Sequence, residues 1–395
     1  MSDLNANRTI PYGRQVVEED DIRRVAETLR SAWLTQGPAV SEFEGAVARQ
    51  CGAAGAVAVN SGTAALYLAA QALGVKPGDE VITSPITFAA TANAVLARGG
   101  AVRFADIDPL TGNLDPMSVE SLITARTVGV ISVDLAGQMC DYTALGALAK
   151  RHGLWLLEDA SHSIGSRIEA AGAMRAAGGV PGVTAAVFSF HPVKTITCGE
   201  GGMVVGGDAA LLDEVAFLRS HGITRDARRL EQSEGPWWYE MQALSGNYRM
   251  PDINAALGLT QLAKLERFKA RRRKLWARYN EAFAGIEELV LPVEAPGSDA
   301  CWHLYLLRWR MERLKMGKRE LFEEMARRGV GVNLHYIPLY RHPYYRDKAG
   351  ATRPLPEAER YYAGAMTIPL HCAMTDEDQA QVIEAVRAVV NGFRR

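Results

Sequence analysis

Cysteine is scarce in this chain of 395 residues, which contains five cysteines and no C-x-x-C pair. A disulfide framework needs an even number of cysteines at short spacings, and thiolate zinc sites use closely spaced pairs. The sequence therefore predicts neither a disulfide scaffold nor a metal site. The cysteines stand far apart, at positions Cys51, Cys140, Cys198, Cys301 and Cys372.

Long apolar runs and an excess of one charge are also lacking. No run reaches the length of a membrane span, and the first residues have neither the basic start nor the apolar block of a signal peptide. The chain has 44 Lys and Arg against 45 Asp and Glu, so its net charge of -1 offers no strong field to nucleic acid or anionic membranes. We therefore expect a cytoplasmic protein that acts on small molecules, with no nucleic-acid or membrane partner.

One basic run, KARRRK at residues 269–274, stands out from this balance. Such a run predicts either a nucleic-acid patch or a solvated helix face. Glu266 and Glu281 flank it and the whole chain is nearly neutral, which favours the solvated helix face.

The chain is long enough for two unequal domains, and its pattern predicts an α/β fold. Short runs rich in Val, Ile and Leu alternate with helical patterns such as TAALYLAAQAL, which is typical of a mostly parallel sheet. Ligands bind beyond the carboxyl ends of the strands in such sheets. The strand candidates are AVAVN, EVITSP, AVRFADID, TVGVISVDLAG, GLWLLEDA, AAVFSF and GGMVVGG.

The ends of the chain differ in character from this alternation. After a short polar arm, Ile22, Val25, Leu29 and Trp33 recur at helical spacing behind an acidic first turn, which predicts an amphipathic helix. From Asp252 onward the chain becomes helical and basic, with one strand-like run, HLYLLRWRM. We predict an arm over residues 1–15, a large domain over 16–251 and a smaller α+β domain over 252–395.

A phosphate site is predicted where AVAVN runs into Ser61-Gly62-Thr63 and a helix. Gly62 lets backbone N–H groups approach an anion, Thr63 offers a hydroxyl, and the helix dipole favours negative charge. Ser-Gly-Thr is also an ordinary helix cap, so this motif by itself leaves both interpretations open.

Strand GLWLLEDA ends in Glu158-Asp159, which places a carboxylate at the ligand edge of the sheet. Enzymes that use pyridoxal 5′-phosphate (PLP) need one acid against the pyridine nitrogen, because the protonated ring is the electron sink. We assign this role to Asp159, and we expect Glu158 on the other side of the pleat to be structural. Taken alone, this motif would favour the interpretation of Asp159 as a turn cap.

Lys194 follows strand AAVFSF in a loop that contains Pro192 and the run CGEGG. Such a loop can hold a lysine rigidly and partly desolvated, which lowers the ammonium pKa and makes the amine available for a Schiff base. Most lysines are solvated surface groups, so the assignment depends on the phosphate-like turn and the strand-end acid that precede it.

Three further residues have two interpretations each. Ser189, five residues before Lys194, binds phosphate or satisfies the strand end. His162 lies near the phenolic oxygen of the cofactor or is a satisfied core histidine. Phe88, in SPITFAATAN, stacks on the pyridine ring or belongs to the core.

Together these segments resemble the DegT/DnrJ/EryC1/StrS family of nucleotide-sugar aminotransferases. The resemblance covers nearly the whole chain, and its motifs, in order, are NSGTAAL, TFAATANAV, EDASHSIG, FSFHPVKTITCGEGG and GNYRMPDINAALG. It implies a fold type I PLP enzyme that works as a homodimer with active sites at the subunit interface.

The resemblance also implies roles for individual residues. Lys194 would bind the cofactor covalently, Asp159 would face the pyridine nitrogen and Phe88 would stack on the ring. The phosphate would be held at Gly62-Thr63 and Ser189 of one subunit, with Asn247 reaching it from the neighbouring subunit.

A closer resemblance, to the members of this family in the pseudaminic acid pathway, is carried by IPYGRQ, WLTQGP, FHPVKTIT, WWYEMQALSGNYRM and NLHYIPLY. It implies transfer of the amino group of L-glutamate to a UDP-linked 4-keto-6-deoxy-N-acetylhexosamine. The implied sugar-nucleotide contacts, which could instead be packing residues, are Tyr12, Leu34, Thr35, His335 and Tyr336.

Three other functions are weighed against this one. The first is an aminotransferase for another nucleotide-linked keto sugar, at C3 or C4. The second is the PLP-dependent sugar dehydratase branch of the family, in which histidine replaces the lysine, and Lys194 speaks against it. The third is a PLP-binding regulator, for which the sequence offers no helix-turn-helix or basic recognition segment.

Overall fold

The strand candidates of the large domain form one seven-stranded sheet in the structure, a computed structural model that describes residues 9–346 and 355–395. Residues 1–8 of the predicted arm lie outside the described residues. The strands are β1 (Gly55–Val59), β2 (Glu80–Thr83), β3 (Ala101–Phe104), β4 (Thr127–Val133), β5 (Trp155–Asp159), β6 (Arg167–Ala170), β7 (Ala173–Ala176), β8 (Ala185–Ser189), β9 (Gly202–Gly206), β10 (Ile223–Thr224), β11 (Glu240–Met241), β12 (Leu289–Val290), β13 (Ser298–Asp299), β14 (Tyr305–Trp309) and β15 (Ala365–Ile368).

Helices separate most of these strands, as the alternating pattern predicted. No helix of the described residues is both long and apolar enough to cross a membrane. The helices are α1 (Glu19–Arg30), α2 (Pro38–Cys51), α3 (Gly62–Ala72), α4 (Ala89–Leu96), α5 (Pro116–Glu120), α6 (Tyr142–His152), α7 (Ala209–Leu218), α8 (Asp252–Ala263), α9 (Leu265–Phe283), α10 (Lys318–Arg327), α11 (Pro343–Arg346), α12 (Pro356–Gly364) and α13 (Asp376–Phe393).

The large sheet has the strand order β1-β9-β8-β5-β4-β2-β3. Strand β9 runs antiparallel to both of its neighbours, and all the other neighbouring pairs of this sheet are parallel. The prediction of a mostly parallel sheet is therefore confirmed. The carboxyl ends of β1, β5 and β8 lie at one edge, which brings Val59 together with Asp159 and Ser189, two residues far from it in the chain.

Helices cover both faces of this sheet because successive strand residues point to opposite sides. Leu156 and Val130 belong to a core cluster shared with α2 and α6. Their neighbours Leu157 and Ile131 belong to a second cluster shared with α3 and α4. This double burial explains why the strands read as continuous apolar runs.

The smaller domain contains the antiparallel sheet β12-β14-β15. Its core includes Tyr279 of α9, Trp309 of β14 and Val386 of α13, and Ile10 of the arm packs into the same core. Helix α8, by contrast, packs on α1 and α2 of the large domain. The boundary at residue 252 stays a prediction, and this packing favours one beyond α8.

Helix α1 forms where it was predicted, but its buried face is polar. Asp21 is fully buried and accepts hydrogen bonds from Thr260 and Gln261 of α8. Ile22 and Leu29 are more than half exposed. The polar groups of α8 determine which side of α1 turns inward, so an apolar stripe remains on the surface.

The basic run of α9 also differs from its prediction. Lys269 is buried and donates to the carbonyl of Gly165 and the carboxylate of Asp299. Arg272 is buried and donates to three carbonyl oxygens, among them those of His303 and Leu370. The prediction of a solvated helix face is therefore wrong for these two residues, because backbone carbonyls left open between the domains need donors.

Candidate active site

A cavity of about 810 Å³ opens at the edge of the large sheet where β1, β5 and β8 end, and residues of both domains line it. Its volume lies within the range of small-molecule sites, ~300–1,000 Å³. The residues predicted for the site that line this cavity are Tyr12, Ser61, Gly62, Thr63, Phe88, Asp159, His162, Ser189, Lys194, His335 and Tyr336.

The turn from β1 into α3 is an anion cradle. Ser61 is the N-cap, and its side chain accepts a hydrogen bond from the backbone N–H of Ala64 at 3.1 Å. The helix-cap interpretation of Ser61 is thus correct, whereas the N–H groups of Gly62 and Thr63 have no intrahelical acceptor. A Cβ atom on Gly62 would lie 2.8 Å from Cβ of Ser189, so glycine is needed for this close approach.

Asp159 ends β5 at the floor of the cavity and is 5% exposed. Its Oδ2 accepts a hydrogen bond from Oγ1 of Thr91 at 2.7 Å, and its Oδ1 accepts one from the N–H of Ser161 at 3.2 Å. The turn-cap interpretation of Asp159 therefore accounts for Oδ1, which caps the turn at Ser161, and not for Oδ2. The other oxygen is held by Thr91 of α4.

Glu158, the neighbour of Asp159, points to the other side of the sheet, as predicted. It is fully buried and accepts a hydrogen bond from the N–H of Gly178 at 3.0 Å. Burial and the nearby carboxyl group of Asp134 raise the pKa of Glu158 well above its usual value. A protonated, structural Glu158 is the consequence.

Lys194 is half-buried in the loop after β8, where its N–H donates to the carbonyl of His191 at 2.9 Å. Burial lowers the pKa of the Lys194 ammonium group to about 8, and the negative charge of Asp159 opposes that shift. The neutral amine, which a nucleophile requires, is consequently far more accessible near physiological pH than it is for an ordinary lysine.

Phe88 is the N-cap residue of α4, and its side chain is 61% exposed where it faces the cavity. The core interpretation of this residue is therefore wrong. Its ring centroid lies 6.3 Å from that of Tyr336 on the opposite wall. The exposed face of Phe88 is therefore accessible to a flat ring that could stack on it.

His162 is both a lining residue and a satisfied histidine. Its Nδ1 accepts a hydrogen bond from the N–H of Ala136 at 3.3 Å, and its Nε2 lies 3.2 Å from the hydroxyl of Tyr336. Burial lowers the pKa of His162 well below its usual value, so the ring is neutral. Because Nδ1 accepts, the proton is on Nε2, which donates to Tyr336.

The small-domain wall is formed by His335, Tyr336 and, from the arm, Tyr12. Nδ1 of His335 lies 2.7 Å from Oγ1 of Thr367, and burial lowers the pKa of His335 to about 4. Burial raises the pKa of Tyr336, which keeps its hydroxyl protonated. The peptide bond between His335 and Tyr336 is cis.

Several lining residues were not anticipated from the sequence. Thr87 and Thr91 flank Phe88, and their spacing of four residues at a helix start was the available signal. His303 is buried beside His162, with ring centroids 4.6 Å apart, and nothing in its local sequence indicated this position. The other unanticipated lining residues with polar side chains are Asn60, Ser161, His191, Glu200 and Asn333.

Three predicted residues do not line this cavity. Asn247 is exposed, and its carbonyl accepts a hydrogen bond from the side chain of Asn60 at 3.3 Å. The carbonyl of Leu34 accepts from the N–H of Asp252, and Thr35 bridges to Pro251.

The lining residues fit PLP. The cradle at Gly62 suits its phosphate, Asp159 suits its ring nitrogen, Phe88 suits its ring face, and Lys194 suits its aldehyde. Because a Cβ atom on Gly62 would clash with Ser189, the glycine is what allows the start of α3 to lie this close to the end of β8, so that both can contact one phosphate.

Comparison with known proteins agrees with this geometry. Residues 15–387 match the DegT/DnrJ/EryC1/StrS aminotransferase family. Spore coat polysaccharide biosynthesis protein SpsC of Bacillus subtilis is 40% identical over 388 residues, which is 98% of each chain. Helicobacter pylori PseC, an aminotransferase involved in the biosynthesis of pseudoaminic acid, is 30% identical with a TM-score of 0.89 over 98% of this chain and 100% of its own. Spr1654 of Streptococcus pneumoniae in its PLP form is 29% identical with a TM-score of 0.88 over 97% and 99% of the two chains.

Proposed function

This chain belongs to the DegT/DnrJ/EryC1/StrS aminotransferase family, and we propose that it transfers the amino group of L-glutamate to a UDP-linked 4-keto-6-deoxy-N-acetylhexosamine. The family and its solved members establish the coarser activity, that of a PLP-dependent sugar aminotransferase. The donor, the nucleotide sugar and a cytoplasmic location are the proposed part.

One observation carries the proposal: Lys194 and Asp159 line the same cavity as the Gly62 cradle and the exposed ring of Phe88. Bound PLP supplies a ring that accepts electrons from the amino-bearing carbon of the substrate. We assign the acid against the ring nitrogen to Asp159 and the stacked ring to Phe88. The phosphate is assigned to Gly62, Thr63 and Ser189.

Lys194 has two tasks in this assignment. Its Nζ would hold PLP before the substrate arrives, and would be a free amine once the substrate amino group has taken its place. The released amine, with its pKa lowered to about 8, would take a proton from the substrate carbon and pass it to the cofactor in the first half-reaction, and would carry a proton in the opposite direction, onto the sugar carbon, in the second. Such a base must lie within hydrogen-bond reach of the carbon that it deprotonates, and the His191–Lys194 turn restricts its range.

The substrate assignment is supported by the motifs near the N-terminus and His335-Tyr336, and by the similarity to PseC. Tyr12, His335 and Tyr336 are proposed to contact the sugar nucleotide. The similarity to SpsC, named for spore coat polysaccharide, favours a second candidate, namely another nucleotide-linked keto sugar with the same cofactor chemistry.

An absorption experiment separates these possibilities. We expect purified protein with PLP to show the visible band of the lysine-bound cofactor, which L-glutamate removes and the correct keto sugar restores. Isomers of UDP-4-keto-6-deoxy-N-acetylhexosamine and a TDP-linked keto sugar are added in parallel. Restoration by the TDP sugar alone would refute the proposed substrate, and a protein with no band would refute the proposed binding through Lys194.

We also propose that two copies of the chain share their active sites. The large apolar residues that are more than half exposed include Ile22 and Leu29 on α1, Trp33 after it, and Trp237 and Leu244 on either side of β11, and we propose that the second copy covers them. Exposed Asn247 is then available to the phosphate site of the second copy, and Leu34 and Thr35 to its sugar nucleotide.

Mixing two inactive variants tests the shared site. Lys194→Ala and Asn247→Asp each damage every site of their own homodimer, the second by placing negative charge against the phosphate. After unfolding and refolding together, roughly a quarter of the sites would be intact, because mixed dimers hold one undamaged site. Absence of any recovered activity in refolded dimers would contradict the assignment of Asn247.

A further inference from the structure

A chain of two buried hydroxyl groups, at the start of α4 in the large domain, leads to Asp159. Oγ1 of Thr91 donates to Oδ2 of Asp159 at 2.7 Å, and Oγ1 of Thr87 lies 2.8 Å from Oγ1 of Thr91. Thr87 and Thr91 are 1% and 0% exposed. Water therefore has little opportunity to replace either bond.

The direction of both bonds follows from the chemistry of the groups. An ionised carboxylate only accepts hydrogen bonds, so Thr91 must give its single hydroxyl proton to Asp159. The bond between the two threonines must then run from Thr87 to Thr91. Each donor polarises the next in such a chain, and a bond to a charged acceptor is stronger than one between neutral groups.

The first turn of α4 places these hydroxyls and the exposed ring of Phe88 together. The N–H of Thr91 donates to the carbonyl of Phe88 at 3.2 Å, which closes that turn. The same turn therefore holds Phe88 in the cavity and Thr91 on Asp159. A shift of this turn would displace both groups at once.

We propose that Thr91 is the positioning residue of Asp159 and that Thr87 acts through Thr91. This inference rests on the proposed role of Asp159 against the pyridine nitrogen. Thr91 holds Oδ2 and the N–H of Ser161 holds Oδ1, so the carboxylate plane is fixed from both sides. Without Thr91, the carboxylate could turn toward the Lys194 ammonium group, whose charge it already stabilises.

The test measures the affinity of purified apoprotein for PLP by absorption titration. Thr91→Val keeps the shape and removes the donor, so the Kd for PLP is expected to rise about tenfold to a hundredfold, as for loss of a hydrogen bond to a charged group. Thr91→Ser restores the hydroxyl and is expected to stay within about threefold of the unmodified protein. Thr87→Val is expected to weaken binding by about threefold.

The order of the chain is tested by the double variant. If Thr87 acts only through Thr91, Thr87→Val has no further effect in the Thr91→Val background, and the two changes are not additive. If the two changes instead weaken PLP binding additively, Thr87 does not act through Thr91, and the two threonines contribute independently.

Thr83→Val is the matched control. Thr83 is buried on β2, donates to the carbonyl of Ile131 at 2.7 Å and does not line the cavity. Its substitution is expected to lower stability and leave the Kd for PLP unchanged. A Thr91→Val protein that binds PLP like this control would overturn the inference.

Two outcomes distinguish this inference from the proposed function. Failure of the unmodified protein to bind PLP would overturn the proposed function itself. Normal binding by the unmodified protein, with equal binding by Thr91→Val, would overturn only the role of Thr91. If Thr91→Val does not fold, Thr87→Val and Thr87→Ser are compared instead. The inference requires weaker PLP binding by Thr87→Val and unchanged PLP binding by Thr87→Ser.

Discussion

The two walls of the cavity differ in charge. The large-domain wall presents Asp159 and Lys194, whereas the small-domain wall presents His303, His335 and Tyr336 in neutral form. Burial causes the neutrality, since it disfavours the charged imidazole and the charged phenolate alike. On this difference we propose that the large-domain wall carries the proton and charge chemistry, and that the small-domain wall selects the ligand through hydrogen bonds and shape.

The scarcity of cations sharpens this difference. Among the described residues that line the cavity, Lys194 is the only lysine or arginine. L-glutamate and a sugar nucleotide carry several negative charges, which a neutral wall does not balance. This is a further reason to propose that a second copy of the chain completes the site.

The largest effect is expected from removal of Lys194. Lys194→Ala or Lys194→Arg should lower turnover by at least about a thousandfold, because both lose the general base. The matched control is Lys318→Ala, since burial also lowers the pKa of Lys318 to about 8, yet that residue donates to the carbonyl of Tyr362 on α12. Sustained turnover by either Lys194 variant would contradict the assignment of the proton chemistry to the large-domain wall.

Asp159→Asn is expected to have the next largest effect. Loss of the negative charge opposite the ring nitrogen should lower kcat by about 100-fold to 1,000-fold. Glu158→Gln is the control. The Glu158 side chain is protonated and points away from the cavity, and the glutamine amide has nearly the same shape. Equal losses of kcat in the two variants would show that disturbance of strand β5, and not loss of the Asp159 charge, lowers the activity.

The small-domain wall is tested by Tyr336→Phe. We expect KM for the keto sugar to rise about fivefold, the usual effect of one neutral hydrogen bond, with unchanged PLP affinity. Tyr340→Phe removes a comparable hydroxyl that donates to Glu359 outside the cavity, and it should leave KM unchanged. A fall in kcat with unchanged KM would show that Tyr336 takes part in the chemical step, and would contradict the proposed division of roles between the two walls.

The smallest effect concerns the pH at which Lys194 reacts. Its pKa is lowered to about 8 from an ordinary 10.5, so the neutral amine forms as pH rises through about 8. The rate of PLP attachment to apoprotein, followed by stopped-flow absorption, should rise with pH and level above that midpoint. Asp159→Asn should lower the midpoint, because the carboxylate raises the Lys194 pKa. A free alkylamine corrects for titration of PLP, and a midpoint near 10 would contradict the burial of Lys194.

Part of the site was predictable because strand ends are local features. Asp159 follows an apolar run, and Gly62 precedes a helical one, so their edge of the sheet could be inferred from the sequence alone. The assignment of Lys194 needed the resemblance to a family as well, since a single lysine in a loop has no distinctive pattern. The roles of these residues stay proposals until the variants are measured.

Other features could not be predicted from local pattern. Helix α1 turns Asp21 inward because α8, more than two hundred residues later, offers Thr260 and Gln261. Lys269 and Arg272 are buried because backbone carbonyls of distant segments need donors. In each case the decisive partner is far away in the chain, and periodicity does not carry that information.

The sequence by itself determined the α/β alternation, the mostly parallel sheet and the edge at which ligands bind, because these follow from hydrophobic period and strand ends. Only the tertiary structure decided that Thr91 holds Asp159, that His162 is satisfied by Ala136 and Tyr336, and that the second wall is neutral. The physical reason is that hydrogen-bond partners and burial depend on which distant segments meet, and a one-dimensional pattern specifies the elements but not their contacts.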